Sequence, residues 1–575
     1  MEKTENTINA IVTGVYPNKV HIEVSDIEDF KLAGEKLSVG AYLQISDSND
    51  CAIIAVVQSF AIQKTEVDQE RRYVIEGLPI GFLHADGKFS RGGNNIAIPP
   101  IGVVPASRDT IQHIYAQVEA KKIFDFSALS QDRNIRVPVD GDRFFNKHIA
   151  VVGSTGCGKS CSISTILRKA TEAKESGYDG LNNSHIVVFD LHGEYAQAFP
   201  NANRLSIENL LLPYWLMNGE ELEELLVESG ENQAYNQASL LRRIITRNKQ
   251  KHSGNPKALF DSPVRFSLKE TMNCIVNLSR ETRDYKKPTE YTIKDAPQEF
   301  LSDEKRFDHY FTQEFDFTEP KSQNISKGSY NDGTLDKFIS RIRWKLSDER
   351  LSFLLGPAAE NMSFEDTIRE ILGYRKNNTA NITIIDLSGI PFEVLSISVS
   401  LMSRILFDYG YYYKRTVSKE NQKTPLLLVY EEAHKYVPKA MGARYTASRL
   451  AIERIAKEGR KYGVTLALVT QRPSEISETI FSQCNNFIAM RLTNPADQDY
   501  VKRLLPDTLG PLTDSLSTLE SGEAILIGDS VVMPSLVRID QTEPEPSSSD
   551  INYIQEWKRK WYDVEFANII SEWEK

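Results

Sequence analysis

The sequence predicts an α/β protein with a mostly parallel central sheet, an all-β region before it and a helical insertion within it. Apolar runs typical of buried strands recur at residues 148–153, 186–190, 382–386, 426–430, 464–470, 487–492 and 524–527. Helical patterns separate most of these runs, which favours a parallel sheet. Up to residue 98, shorter apolar runs alternate with turn residues, as in a small β-sandwich or barrel. The stretch between residues 190 and 382 is largely polar with helical spacing, which indicates an insertion.

These patterns divide the chain into four parts. We expect an N-terminal β-barrel at residues 1–120, an α/β core at 121–200 and 380–540, a helical insertion at 201–379 and a C-terminal extension at 541–575. The extension opens with a Pro- and Ser-rich linker composition and closes on an aromatic, charged helical pattern.

Composition limits the classes of function. The chain has 575 residues, 41% of them hydrophobic and 26% charged, which is ordinary for a globular protein. A net charge of -11 argues against a basic coat over the whole surface, although a DNA-enclosing protein needs basic residues only where phosphates pass. Five cysteines without a CxxC pair, the lack of an apolar leader and the lack of any run long enough to span a membrane predict a cytoplasmic protein.

A glycine-rich turn joins the strand at 148–153 to a helical pattern and matches the G-x-x-x-x-G-K-S motif. Its backbone N–H groups and the helix N-terminus predict a phosphate site for ATP. Lys159 is expected to reach the β and γ phosphates, and Ser160 to ligate Mg²⁺. The residues expected to bind the nucleotide are Gly153, Ser154, Thr155, Gly156, Cys157, Gly158, Lys159, Ser160 and Cys161.

Two carboxylates follow the apolar run at 426–430. We expect Glu431 at the strand tip to act in the Mg²⁺ shell, and Glu432 to act as the general base for the attacking water. Aspartate is more usual at the first position, so which carboxylate does which job stays open. A helix start with acidic residues is the alternative interpretation.

Further polar residues stand at the ends of neighbouring strands. Gln471 is a candidate sensor of the γ-phosphate, and Asp190 and Glu194 are candidates for the surroundings of Mg²⁺ or water, although turns explain all three as well. Arg460 is the candidate arginine finger, with Arg454 as the second choice, and helix capping is the competing explanation.

Phosphate tracking along DNA needs mobile cations. The stretch from 435 to 449 offers Lys439, Arg444 and Arg449, and we favour it over residues 242–251 because it directly follows the carboxylates. Both stretches are also compatible with ordinary solvated surfaces.

Several separated motifs together resemble the HerA family of hexameric DNA translocases, in the FtsK/HerA group of P-loop ATPases. The resemblance spans most of the chain, and the residues that carry it are His148 with the P-loop, 190–195, 212–215, 430–434, 458–461, 470–473 and 522–528 with Pro534. It implies an N-terminal β-barrel, a RecA-like core with a helical insertion and a C-terminal extension that braces the neighbouring subunit. Glu431 in place of aspartate is the main departure.

The resemblance also implies a function. We expect a homo-hexamer that hydrolyses ATP at its interfaces and moves or unwinds double-stranded DNA. A nuclease or other effector is expected to dock on the barrel side, in DNA end processing or defence against phage. The alternatives are a ring that binds ATP chiefly to assemble and activate an effector, and a secretion- or conjugation-type ATPase.

Overall fold

A computed structural model describes fifteen segments of the chain: residues 10–16, 19–25, 38–46, 51–64, 71–92, 102–174, 180–228, 234–294, 296–320, 324–375, 378–417, 423–439, 447–504, 510–547 and 551–573. Within these segments, no helix is both long enough and apolar enough to cross a membrane. The predicted strand at 96–98 and the candidate DNA-binding residue Arg444 lie outside the described residues.

The N-terminal region is a curled antiparallel sheet around its own apolar core. The strands are β1 (Ala10–Tyr16), β2 (Lys19–Val24), β3 (Tyr42–Ser46), β4 (Ala52–Lys64), β5 (Arg71–Leu83), β6 (Phe89–Arg91) and β7 (Val103–Pro105). They pair in the order β1-β2-β5-β4-β3-β7, with β6 on β5. A bridge between Ile11 and Gly102 brings the first strand to the start of the last, so the sheet curls toward closure. The antiparallel sheet confirms the all-β prediction, and complete closure into a barrel stays a prediction.

The chain then enters the core. The helices of this part are α1 (Arg108–Tyr115), α2 (Gly141–Phe145), α3 (Lys159–Glu172) and α4 (Tyr195–Ala198). The strands are β8 (Ile123–Phe124), β9 (Ser127–Leu129), β10 (Val139–Asp140), β11 (His148–Val152), β12 (His185–Asp190) and β13 (Asn203–Leu205). Every residue of β11 is buried, as its unbroken apolar sequence requires for a strand in the middle of a sheet.

The insertion is mostly helical. Its helices are α5 (Gly219–Leu226), α6 (Ala234–Ser253), α7 (Leu268–Arg280), α8 (Asp303–Tyr310), α9 (Asp336–Ser347), α10 (Ser352–Leu355), α11 (Pro357–Asn361) and α12 (Phe364–Ile371). Short strands lie between them: β14 (Thr282–Asp284), β15 (Glu290–Tyr291), β16 (Gln298–Glu299), β17 (Ile325–Lys327), β18 (Tyr374–Arg375) and β19 (Asn378–Thr379). Four of these strands form a small sheet beside the fully buried carboxylate of Glu281, which pairs with Arg283 and Arg306. Strands of two or three residues are too short to leave a periodic signal, so the sequence did not predict this sheet.

The chain returns to the core after the insertion. The strands are β20 (Ile382–Asp386), β21 (Leu426–Tyr430), β22 (Val464–Thr470), β23 (Cys484–Met490), β24 (Glu523–Gly528) and β25 (Ser535–Ile539). The helices are α13 (Phe392–Thr416), α14 (Ala447–Glu458), α15 (Glu478–Phe481), α16 (Pro495–Leu504), α17 (Gly510–Asp514), α18 (Tyr553–Trp557) and α19 (Phe566–Trp573).

Ten strands from the two halves form one sheet in the order β13-β20-β12-β21-β22-β11-β23-β24-β25-β9. The pairs from β13 to β23 are parallel, and the pairs from β23 to β9 are antiparallel. The mostly parallel α/β sheet is therefore confirmed. Since parallel strands end at the same edge, the residues that follow β11, β12, β21 and β22 lie side by side, where ligands bind in such sheets. The division of the chain into domains at the expected bounds stays a prediction.

The last residue before the C-terminal extension is tied to helix α3. Asp540 accepts hydrogen bonds from Lys169 on α3 and from Arg136, whose Nη1 lies 2.9 Å away. Thr165 Oγ1 donates to the carbonyl of Asp540 at 2.9 Å. These bonds hold the helix that follows the P-loop against the far end of the sheet.

Candidate active site

The P-loop is anchored to two strand ends. The N–H of Gly153 donates to the carbonyl of Thr470 at 3.2 Å, and the N–H of Ser154 donates to the carbonyl of Arg491 at 2.7 Å. Gly156 and Gly158 have φ angles of 73° and 94°, a region that favours glycine. The glycines therefore allow the backbone conformation of the loop, and the hydrogen bonds to the ends of β22 and β23 fix its position.

Close packing lies beneath the loop. A Cβ on Gly153 would stand 2.5 Å from the sulfur of Cys157 and 2.9 Å from Cβ of Met490, so only glycine fits there. The Cys157 side chain is buried, and its burial raises the pKa of its thiol. Cys157 thus supports the loop through its side chain and can contribute only backbone to a phosphate. Cys161 is partly exposed near the start of α3.

Lys159 and Ser160 occupy the first turn of α3. Lys159 Nζ donates to the carbonyls of Gly153 at 2.9 Å and Ser154 at 3.2 Å, which holds its charge over the loop. Ser160 Oγ donates to Glu194 Oε2 at 2.8 Å. A hydroxyl and a carboxylate are hard oxygen donors of the kind that Mg²⁺ prefers.

The Asp190 carboxylate organises the turn after β12. Its Oδ1 accepts the N–H groups of His192, Gly193 and Glu194 at 3.3, 2.9 and 3.2 Å, and its Oδ2 accepts the N–H of Tyr195 at 3.0 Å. Asp190 is fully buried and caps the turn, while Glu194 on the same turn reaches Ser160. The carbonyl of Glu194 also accepts the N–H of Ser547 at 3.0 Å, so the C-terminal extension touches this turn.

Glu431 lies against Asp190. Its backbone N–H donates to the carbonyl of Phe189 at 3.1 Å, and only 5% of the residue is exposed. Burial, followed by the charge of Asp190 and a hydrogen bond to it, raises the pKa of Glu431 to about 10. This carboxyl is therefore protonated at neutral pH.

Glu432, the next residue, differs from Glu431 in both backbone conformation and charge. Its φ of 47° is the one positive φ of a non-glycine residue in the described part of the chain. Burial opposes ionisation, but the adjacent His434 and the charge of Lys159 together bring the pKa of Glu432 below its ordinary value. Neighbouring carboxyls whose pKa values are pushed apart are the arrangement by which a site assigns different roles to two acids. Glu432, charged and beside Lys159, is the one suited to accept a proton.

The remaining candidates divide between the two edges of the sheet. Gln471 contacts the P-loop, because Thr155 Oγ1 donates to its Oε1 at 2.5 Å. Arg460 lies at the other edge, just before β22. His148, the first residue of β11, lies near it: burial lowers the pKa of His148, and the charge of Arg460 lowers it further.

Arg454 and Arg460 differ in their contacts. Arg454 lies 3.5 Å from Asp408 and over the ring of Phe407 at 4.4 Å. Arg460 is exposed and makes no side-chain hydrogen bond or ion pair to any residue that the structure describes. Arg460 is thus the arginine available to another molecule, and it cannot reach the P-loop of its own chain from the opposite edge.

Several of the basic side chains that are candidates for binding DNA already form ion pairs within the chain. Lys439 Nζ lies 2.8 Å from Glu478 Oε1 on the surface, and Arg449 is partly exposed on α14. In the alternative stretch at 242–251, Arg242, Arg243 and Arg247 each pair with a carboxylate, and Lys249 is buried. The structure therefore leaves few free cations in the alternative stretch.

Sequence reasoning missed two residues at the site. His434 Nδ1 lies 3.2 Å from Glu432 Oε2 and 3.2 Å from Thr470 Oγ1, and Arg491 supplies the carbonyl that holds Ser154. The position of His434 two residues after the proposed base was a signal that could have been used. Nothing local in the sequence marks Arg491, since only the sheet order brings β23 next to β11.

Substituting the two glutamates separates their roles. We expect Glu432→Gln to bind nucleotide normally and to lower kcat by at least about a hundredfold, the lower range for loss of a general base. We expect Glu431→Gln to raise the Mg²⁺ concentration that gives half-maximal turnover. Glu194→Gln, measured in parallel, reports whether the partner of Ser160 carries the metal role instead. Normal turnover by Glu432→Gln together with slow turnover by Glu431→Gln would exchange the two assignments.

The protonated Glu431 predicts how stability changes with pH. In Mg²⁺-free buffer the folded chain keeps a proton on Glu431 that the unfolded chain releases above pH 4.5, so this contribution to the free energy of unfolding is lost as pH rises toward 10. The slope is at most about 1.4 kcal/mol per pH unit. Glu431→Gln should remove this pH dependence. Its urea midpoint, measured relative to that of wild type, should therefore be higher at pH 8.5 than at pH 6. The control Glu365→Gln, at an exposed ion pair, should show the wild-type slope.

Comparisons with known proteins agree with this geometry. The family model described as "Helicase HerA, central domain" matches residues 124–406. The DNA double-strand break repair helicase HerA of Sulfolobus acidocaldarius is 27% identical over 497 residues, which cover 85% of this chain and 82% of that one. The corresponding helicase of Saccharolobus solfataricus is 27% identical over 466 residues, covering 80% and 77%.

Other matches are more distant. The probable DNA double-strand break repair helicase HerA of Methanocaldococcus jannaschii is 24% identical over 548 residues, covering 91% of this chain and 95% of that one. Among solved structures, VirB4 of Thermoanaerobacter pseudethanolicus superposes with a TM-score of 0.45 at 11% identity, covering 74% and 98%. The motifs, the central-domain match and the relatives together support a HerA-family, FtsK/HerA-type P-loop ATPase.

Proposed function

We propose that this chain is an ATP-driven motor that binds double-stranded DNA and translocates along it or unwinds it. The observation that carries the ATPase half is that Lys159, bonded to the P-loop carbonyls, and Glu432, whose pKa the charge of Lys159 helps to lower, lie at the same edge of the sheet. The DNA half rests on the relatives, which are named as DNA double-strand break repair helicases.

The residues present fit ATP with Mg²⁺. The loop presents backbone N–H groups and Lys159 to a phosphate chain, and Ser160 with Glu194 offers hard oxygen ligands. Glu431 Oε2 and Glu432 Oε2 are buried and have no hydrogen-bond partner among the described residues, as expected of atoms that serve a ligand or a water. In this proposal Ser160 would hold Mg²⁺, with Glu431 or Glu194 beside it. Mg²⁺ would neutralise negative charge on the phosphate oxygens.

The protein groups divide the hydrolytic work. Lys159 orients the phosphate chain, and Gln471, which contacts Thr155 of the loop, senses the γ-phosphate. Glu432 accepts the proton of the attacking water, because it is the carboxylate that stays charged beside its neutral neighbour. Glu431 stays neutral until a cation approaches it.

Arg460 supports a ring of subunits. The residue is exposed at the edge of the sheet opposite the P-loop, so it can complete an active site only in a neighbouring copy. We propose a homo-hexamer with DNA in its channel, contacted by Lys439, Arg444 and Arg449. A nuclease or other effector would dock on the barrel side, for DNA end processing or defence against phage.

DNA-stimulated hydrolysis tests the motor. We expect duplex DNA to raise the ATPase rate of the full chain, and we expect the triple variant Lys439→Ala, Arg444→Ala, Arg449→Ala to bind DNA more weakly with a flatter salt dependence, because fewer counterions are released. Its basal ATPase rate should stay near wild type. The control replaces Arg242, Arg243 and Arg247 by Ala, which should leave the salt dependence unchanged. Hydrolysis that ignores DNA but responds to an effector would contradict the motor and favour a scaffold.

Mixing two inactive variants tests the trans arginine. Lys159→Ala and Arg460→Ala should each abolish most turnover alone, and mixed rings should recover part of it, because some interfaces then pair an intact P-loop with an intact arginine. Subunit exchange is first shown by native mass measurement. Wild-type turnover by Arg460→Ala rings would contradict the assignment, and Arg454→Ala serves as the matched comparison.

A further inference from the structure

The backbone at Glu432 is strained. A glutamate at φ 47° pays a steric cost that glycine would avoid, and such strain persists only where the surroundings enforce it. The residue follows directly after β21 and begins the short turn Ala433–Lys435, which carries His434. This turn places the ring of His434 back against the Glu432 carboxylate.

His434 stands between two strand ends. Its Nδ1 is 3.2 Å from Glu432 Oε2, after β21, and 3.2 Å from Thr470 Oγ1, the last residue of β22. Only 7% of the residue is exposed, so water does not compete freely for this nitrogen. Nδ1 and Thr470 Oγ1 are hydrogen bonded, with a direction that depends on the tautomer of the ring, whereas Glu432 Oε2 is close to the ring without an aligned hydrogen bond.

In the tautomer that carries a hydrogen on Nδ1, that hydrogen can serve only one of the two oxygens at a time. An ionised carboxylate can only accept, so an interaction between Nδ1 and Glu432 requires the hydrogen on Nδ1. Thr470 Oγ1 already accepts the N–H of Arg472 at 3.0 Å and can accept a second hydrogen bond. Nδ1–H can therefore be aligned with either oxygen, and turning it toward one withdraws it from the other.

Thr470 is linked to the nucleotide loop. Its carbonyl accepts the N–H of Gly153, and the next residue, Gln471, is bonded to Thr155. A displacement of the P-loop is thus transmitted to the oxygen that competes with Glu432 for the hydrogen of His434.

We propose that His434 is a positioning residue that aims the Glu432 carboxylate and shares its Nδ1–H between Glu432 and Thr470, so that the P-loop governs when Glu432 is free to accept a proton. This inference rests on the proposed role of Glu432 as the base. When Nδ1–H of His434 is bonded to Glu432, the carboxylate is a weaker base. When Nδ1–H is directed at Thr470 Oγ1 instead, both oxygens of Glu432 are free to accept the proton of the attacking water.

Three substitutions at His434 test the positioning. In the full chain His434→Ala should lower kcat about 10- to 100-fold, the range for loss of a residue that orients a reactive group, with the nucleotide Kd unchanged. His434→Asn keeps an N–H at the place of Nδ1 and should recover most of kcat. His434→Gln carries its N–H at the place of Nε2 and should resemble His434→Ala. If the alanine variant does not fold, the comparison of Asn with Gln decides the question.

Double variants separate this inference from the base assignment. If His434 acts through Glu432, adding His434→Ala to Glu432→Gln should slow turnover no further. For the second half, Thr470→Val should lower kcat in the wild-type chain but not in His434→Ala, and Thr470→Ser, which keeps the hydroxyl, should lose less of kcat than Thr470→Val. Wild-type kcat in a folded His434→Ala, a Gln variant as active as the Asn variant, or additive effects in either double variant would overturn the proposal. Wild-type turnover by Glu432→Gln alone would instead overturn the assignment of the base.

Discussion

The buried carboxylate of Asp190 is the feature on which the site depends. It binds four successive backbone N–H groups after β12, and this fixes the turn that presents Glu194 to Ser160. Burial, together with the charge of Asp190, keeps a proton on the neighbouring Glu431. Because two carboxylates in such a dry place cannot both be charged at low cost, the negative charge available for chemistry falls to Glu432, which has Lys159 and His434 nearby.

The parallel sheet makes this arrangement possible. The P-loop, the turn at Asp190, the two glutamates and Thr470 follow four different strands, and they meet because β12, β21, β22 and β11 are adjacent and end together. Hydrogen bonds from the P-loop to Thr470 and Arg491 then join the loop to the strands on both sides. Small movements of the loop therefore reach the neighbouring strand ends directly, without a long chain of contacts.

In the proposed motor, the edge at which the parallel strands end and the edge at which they begin have different roles. One edge holds all the groups that bind and hydrolyse nucleotide, and the other exposes Arg460 without a partner in the described part of its own chain. A subunit is then incomplete in isolation, and assembly becomes a condition for catalysis. The contact of Ser547 with Glu194 places the beginning of the C-terminal extension at the same catalytic edge.

The sequence by itself determined the α/β class, the P-loop and its strand and helix, and the pair of glutamates, because each depends on residues that are contiguous in the chain. It also located Gln471 and Arg460 correctly relative to strands, since apolar runs mark where strands start and end. Only the tertiary structure decided which carboxyl is neutral, because burial and the distance to Asp190 arise from the pairing of β12 with β21, two strands separated by the whole insertion. His434 and Arg491 became visible for the same reason: their contacts with Thr470 and Ser154 join strand ends that are far apart in sequence.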